Sequence, residues 1–236
     1  MGYNETVVYR RMSHRITSFA KKDCTMNYVE WRSELFGQPP EIDPVKLEHS
    51  SEFYSLPPNQ AFYFVDQMLV DRELHTLFSK EQIGSAINTV YSNSCSNLPF
   101  LYTTECDEER RVKGIRNLVN LYRNFFERYC TAQVVSIGND QTDGKIGFIC
   151  YMFWDVFVLY PGSASPLMKL AAVGVMRTAL DSRNDNCLAS AIHGLGHWAT
   201  DVPEASTILN QWLRRPTTKN PRVIQYARTA TSGMIL

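Results

Sequence analysis

Between Ser165 and Thr229 the chain repeats one arrangement: a polar cap, a stretch with apolar residues three and four apart, and a short polar stop. Ser165-Pro166 places an N-cap hydroxyl before a proline in the first helical position, opening a helix to about Leu180. After the polar turn Asp181–Asn184, Asp185 reads as the cap of the next helix. Asp201-Val202-Pro203-Glu204 looks like a capping-box start for a helix to about Leu213, stopped by Arg214-Arg215-Pro216. Asn220-Pro221 opens a last helix to about Thr229. Helices of three to four turns joined by such short connections pack antiparallel to their neighbours. This pattern constrains the fold class to all-α, either antiparallel helix pairs stacked as a short solenoid or an irregular helical bundle.

The earlier part of the chain agrees with that class. Thr104-Glu105-Cys106-Asp107 starts a helix whose Val112, Ile115, Leu118, Val119, Tyr122, Phe125, Phe126 and Tyr129 form a broad apolar stripe. Ser79-Lys80-Glu81-Gln82 is a capping box that opens a helix to about Ser92. Asn59–Phe78 reads as one helix, and so does the apolar stretch Lys145–Tyr160. Asn27–Phe36 reads as a short helix stopped by Gly37, followed by the extended linker Gln38–Pro44. Residues 1–57 are thus an N-terminal arm with a short helix, and residues 58–236 one α-helical domain. The arm is basic from Arg10 to Lys22, and Val7–Tyr9 reads as a short strand or an arm.

With Lys+Arg 24 and Asp+Glu 24, the chain has no excess of positive charge to attract nucleic acid or an anionic membrane. Its longest apolar run, Ile146–Tyr160, is interrupted by Asp155 and is too short to span a bilayer. The first residues contain no apolar signal segment, so the expected location is cytoplasmic. The six cysteines form no close pair of the zinc-finger or redox type. Cys95 and Cys106 flank a loop and would pair only in an oxidising setting. Gly138–Gly144 alternates oxygen donors but is too short for a calcium loop and lacks its closing glutamate.

The capped helices from Ser165 to Thr229 resemble the paired helices of HEAT- and armadillo-type repeats in architecture and period. The phrase Ala191-Ile192-His193-Gly194-Leu195-Gly196-His197-Trp198 is similar to a segment of bacterial helical-repeat proteins whose activity is unassigned. The resemblance implies stacked helix pairs with one edge offered as a binding surface. It implies no activity.

That same phrase holds the first chemical candidate. His193 and His197 lie four apart and share one helix face, which is the spacing of a helical metal pair. Gly194 follows His193 where a zinc protease carries its general-base glutamate. A third ligand would have to come from Asp201, Glu204, Asp155, His75 or His49. Gly194 and Gly196 each cost a helix roughly 1 kcal/mol against alanine. They are repaid either by a neighbouring backbone that comes close or by a ligand. The second candidate is Asp155, beside Trp154: a carboxylate in an apolar stretch must be paired or line a cleft. Its partner would be Arg177 or His193.

These residues support three readings. The first is a non-enzymatic helical-repeat protein that binds another protein through one face, with no cofactor. There His193, His197, Asp155 and Trp198 would belong to the binding or packing surface. The alternative is a metal-dependent, hydrolase-like enzyme, with zinc held by His193 and His197 and Asp155 beside them. The third is a structural subunit of a homo-oligomer.

Overall fold

The computed structural model describes residues 26–43, 46–134 and 144–235. The readings for the arm Met1–Lys22, for Cys24 and for the loop 138–143 lie outside those residues. Every regular element among the described residues is helical. In chain order they are α1 (Tyr28–Phe36), α2 (Ser51–Tyr54), α3 (Pro58–Met68), α4 (Leu74–Leu77), α5 (Lys80–Tyr91), α6 (Glu108–Leu121), α7 (Glu127–Tyr129), α8 (Gly144–Tyr151), α9 (Phe153–Val156), α10 (Pro166–Ala179), α11 (Asp185–Trp198), α12 (Pro203–Arg214) and α13 (Pro221–Ala230). A 3₁₀ turn, Leu98–Tyr102, precedes α6, and a π turn, Tyr122–Phe126, joins α6 to α7.

Several starts are those the sequence encodes. Asn27 and Ser79 each form a complete capping box, with Glu30 and Gln82 respectively. Ser165 accepts the Met168 N–H, and Asn220 accepts that of Arg222. Four expectations need correction. The cap of α11 is Asn184, whose side chain accepts from Asn186 and Cys187. Asp185 sits one residue later and accepts from Thr218 Oγ1 at 2.7 Å and Asn220 Nδ2 at 2.8 Å, so it ties α11 to the start of α13. At α12 no side chain caps: Val202 precedes Pro203, which needs no partner for a missing N–H. The expected helices Asn59–Phe78 and Lys145–Tyr160 are each broken. The first ends at Met68 and resumes only as the one-turn α4; between them Asp71 accepts the Glu73 N–H at 2.9 Å and the Arg32 guanidinium at 2.8 Å. The second divides at Met152 into α8 and α9 and continues without helix after Val156.

The arrangement is an irregular bundle around α11. Along α11 only His197 escapes burial. Helices α8, α9, α10, α12 and α13 all pack against it. Distant partners meet as well: α6 lies on α10, and α5 on α8. In a solenoid each helix pair would touch only the pair next to it. Residues 26–57 share the same core, with Trp31, Leu35, Phe36, Phe53 and Leu56 buried in it.

Candidate metal centre

Helix α11 brings His193 and His197 to one face, and the break at Met152 turns α9 so that Asp155 meets them. His193 Nε2 lies 2.7 Å from Asp155 Oδ2, and His197 Nε2 lies 2.8 Å from Asp155 Oδ1. The two Nε2 atoms are 2.9 Å apart. Among the described residues, these three form the one group of three or more potential ligands whose donor atoms come together, all within 4.8 Å of each other. The other proposed ligands are elsewhere. His75 bonds Tyr129, His49 stacks on Phe53, Asp201 accepts from Thr200, and Glu204 is exposed in the first turn of α12.

Arg177 is exposed and does not pair with Asp155; the two histidines do. Trp198 is a core residue, fully enclosed and edge-on to Trp154 at 6.2 Å, rather than part of a binding surface. Cys95 and Cys106 are both free thiols.

The double glycine has a specific use. A Cβ on Gly194 would fall 2.4 Å from Trp154 Cδ1, and one on Gly196 would fall 1.9 Å from Ile235 Cδ1. Side chains rather than a neighbouring backbone fill the space left open. Gly194 admits the Trp154 ring, whose Nε1 donates to Tyr122 Oη at 2.9 Å. That same hydroxyl meets Ser190 Oγ of α11 at 2.8 Å. The π turn carrying Tyr122 and the gap at Gly194 therefore hold Trp154, and Trp154 delivers the adjacent Asp155 to His193.

The site is graded from inside to outside. His193 retains 3% of its side-chain exposure, Asp155 25% and His197 43%. Burial alone would raise the Asp155 carboxyl. The hydrogen bonds to His193 and His197 outweigh it and hold the group well below the usual carboxylate range. Asp155 is therefore an anion at neutral pH. On its inner side His193 Nδ1 lies 2.6 Å from Tyr226 Oη, and the Tyr151 ring packs 4.8 Å from the imidazole.

The sequence pointed to His193, His197 and Asp155, and it missed Tyr226 and Tyr122. One signal for Tyr226 was present. It sits on the apolar stripe of α13 with Val223, Ala227 and Ala230, and a buried tyrosine hydroxyl needs a partner. No helix among the described residues is long and apolar enough to cross a membrane. No protein-family model, no curated protein and no solved structure matches the chain.

Proposed function

We propose that Asp155, His193 and His197 hold one divalent transition ion, zinc by preference, and that the protein is a metal-dependent, hydrolase-like enzyme working at that ion's open face. The observation behind the proposal is a count of valences. With Asp155 ionised, each of its two short contacts asks for an N–H on the imidazole. The 2.9 Å contact between the two Nε2 atoms asks for one N–H and one lone pair. A neutral imidazole nitrogen offers one or the other. Protons therefore leave one edge of the triangle in conflict, whereas a cation at its centre takes a lone pair from all three groups.

Two imidazoles and a carboxylate suit zinc, and three protein ligands leave a position for water or substrate. Zinc bonds of about 2.0–2.1 Å put tetrahedral ligands about 3.3 Å apart. Binding would widen the triangle by about half an ångström, and the part-exposed His197 and Asp155 can supply that movement. A zinc ion held by His193, His197 and Asp155 would supply the means to ionise a water near neutral pH, and so a nucleophile, even though residue 194 is not a general base.

Loading the purified protein with zinc, followed by dialysis and metal analysis, tests the reading. Near-stoichiometric zinc in the wild type, lost in His197→Ala and Asp155→Asn, supports it, as does zinc-dependent cleavage of an activated ester lost in the same variants. Protein that retains no zinc and gives no cobalt(II) visible spectrum overturns it. The non-enzymatic alternative, a face that binds another protein, draws on Leu167 and Leu170, one turn apart on α10 and each more than half exposed. If the partner is a second copy of the chain, light scattering finds a dimer that Leu170→Lys dissociates, and a wild-type monomer removes that version.

A further inference from the structure

We infer that Tyr226 is a positioning residue of this centre, one that keeps His193 paired on its inner side whichever ring nitrogen carries the proton. The inference rests on the metal reading above. His193 is the buried ligand, so water cannot stand in for a missing partner at Nδ1. That partner is the hydroxyl of Tyr226, 2.6 Å away on a helix 33 residues further along the chain. Tyr226 is itself buried, held by the α13 stripe against α11, and its hydroxyl lies 3.4 Å from that of Tyr151.

The choice of a hydroxyl matters. A carbonyl or carboxylate at this position only accepts, and would fix the proton on Nδ1. A tyrosine hydroxyl both donates and accepts. Without metal, an Nε2–H on His193 would meet Asp155 Oδ2 at 2.7 Å, and Tyr226 would then donate to Nδ1 at 2.6 Å. With an ion bound, Nε2 would give its lone pair to it, the proton would sit on Nδ1, and the Tyr226 oxygen would accept the Nδ1–H hydrogen bond. The hydroxyl rotates and no buried nitrogen loses its partner in either state. Groups that bond the far nitrogen of a ligating histidine set its ring orientation and basicity, and their loss weakens metal binding 10- to 100-fold.

The test compares wild type with Tyr226→Phe, which keeps the ring that packs on α11 and removes only the hydroxyl. Zinc affinity is measured by competition with a chromophoric chelator. The His193 ring nitrogens are followed by ¹⁵N NMR with and without zinc. The expected result is a 10- to 100-fold weaker affinity in Tyr226→Phe. In wild type alone, the zinc form shows a slowly exchanging Nδ1–H. A merely structural role for the tyrosine would not change that proton signal. Equal affinities with the same Nδ1–H in both proteins overturn the inference. A wild type that binds no zinc sinks the metal reading instead. The Tyr226 contact is then read in the metal-free protein: an Nδ1 shift that moves in Tyr226→Phe upholds the hydrogen bond, and an unchanged shift removes it.

Discussion

The absence of a single methyl group at Gly194 decides where Asp155 sits. A Cβ there would overlap the Trp154 ring at two atoms, 2.4 and 2.6 Å away, and that ring is buried and pinned through Nε1 to Tyr122. At Gly196 the nearest obstacle is Ile235 Cδ1, the far end of a flexible side chain on a part-exposed residue, with the Ala230 Cβ at 3.1 Å. Gly194→Ala should therefore cost about 1–3 kcal/mol as an overpacked contact, and Gly196→Ala clearly less. Thermal melts of the two variants side by side check this, and equal melting temperatures would refute it. A second residue-scale prediction concerns Asp71, whose side chain is only 11% exposed. Burial by itself raises its carboxyl. The bonds from Arg32, Tyr28 and the Glu73 backbone outweigh burial and leave it below the ordinary value. A depressed folded-state value stabilises the protein above the unfolded carboxylate pKa of about 4, and the gain is lost as the pH falls further. Asp71→Asn should thus be less stable than wild type at pH 7, with the gap closing at pH 3. Urea melts at the two pH values measure it. The histidine pair was legible in the sequence because four-residue spacing on a helix is a local property. Tyr226 and Trp154 enter the site through contacts between segments far apart in sequence; the apolar stripe of α13 marks Tyr226 as buried but does not say which group its hydroxyl meets.

Whole elements were legible where apolar periodicity was long and the caps were local. Helices α5, α6, α10, α11 and α13 announce themselves in that way. Their breaks were harder to read, because each depends on a contact made elsewhere in the chain. The chain leaves α3 at Met68, and Asp71 just beyond that end is engaged with Arg32 and Tyr28 of α1. The α8–α9 break lets Trp154 enter the space at Gly194. The start of α11 shows how a local rule acquires a tertiary role. Asn184 caps the helix with Oδ1 while its Nδ2 donates to Cys130 O at 2.9 Å. Asn186 Nδ2 does the same to Thr131 O at 2.8 Å. Sequence alone could place a cap here; choosing Asn184 over Asp185 required knowing that residues 130 and 131 pass alongside. Because Asn184 is buried, Asn184→Ala loses the cap and strands a carbonyl, for an expected destabilisation of about 2–3 kcal/mol. Denaturant unfolding reads this directly. A loss below about 0.5 kcal/mol would mean that water replaces both contacts.

At the scale of the molecule, the ligands of the candidate centre come from two helices that the fold has to hold in register. His193 and His197 lie on the central helix, and Asp155 lies on a four-residue helix kept in place by Trp154, Tyr122 and the gap at Gly194. An ion that binds only this assembled arrangement must stabilise the whole fold by linkage, since the unfolded chain offers the same groups without their geometry. At zinc concentrations a hundredfold above Kd the gain is about 2.7 kcal/mol. For a chain of this size that corresponds to a rise in melting temperature of about 5–10 °C. The rise should reverse on adding a chelator and vanish in Asp155→Asn, which keeps the shape of the side chain while removing its charge. Gly194→Ala makes the sharper comparison. It leaves all three ligands in the sequence but displaces the ring that carries Asp155 to the histidines, so it should melt lower without zinc and also gain fewer degrees from zinc than wild type does. If Gly194→Ala gains as much as wild type, the ligands find the ion without Trp154, and the route from the glycine gap to the metal is wrong even where the metal itself is bound.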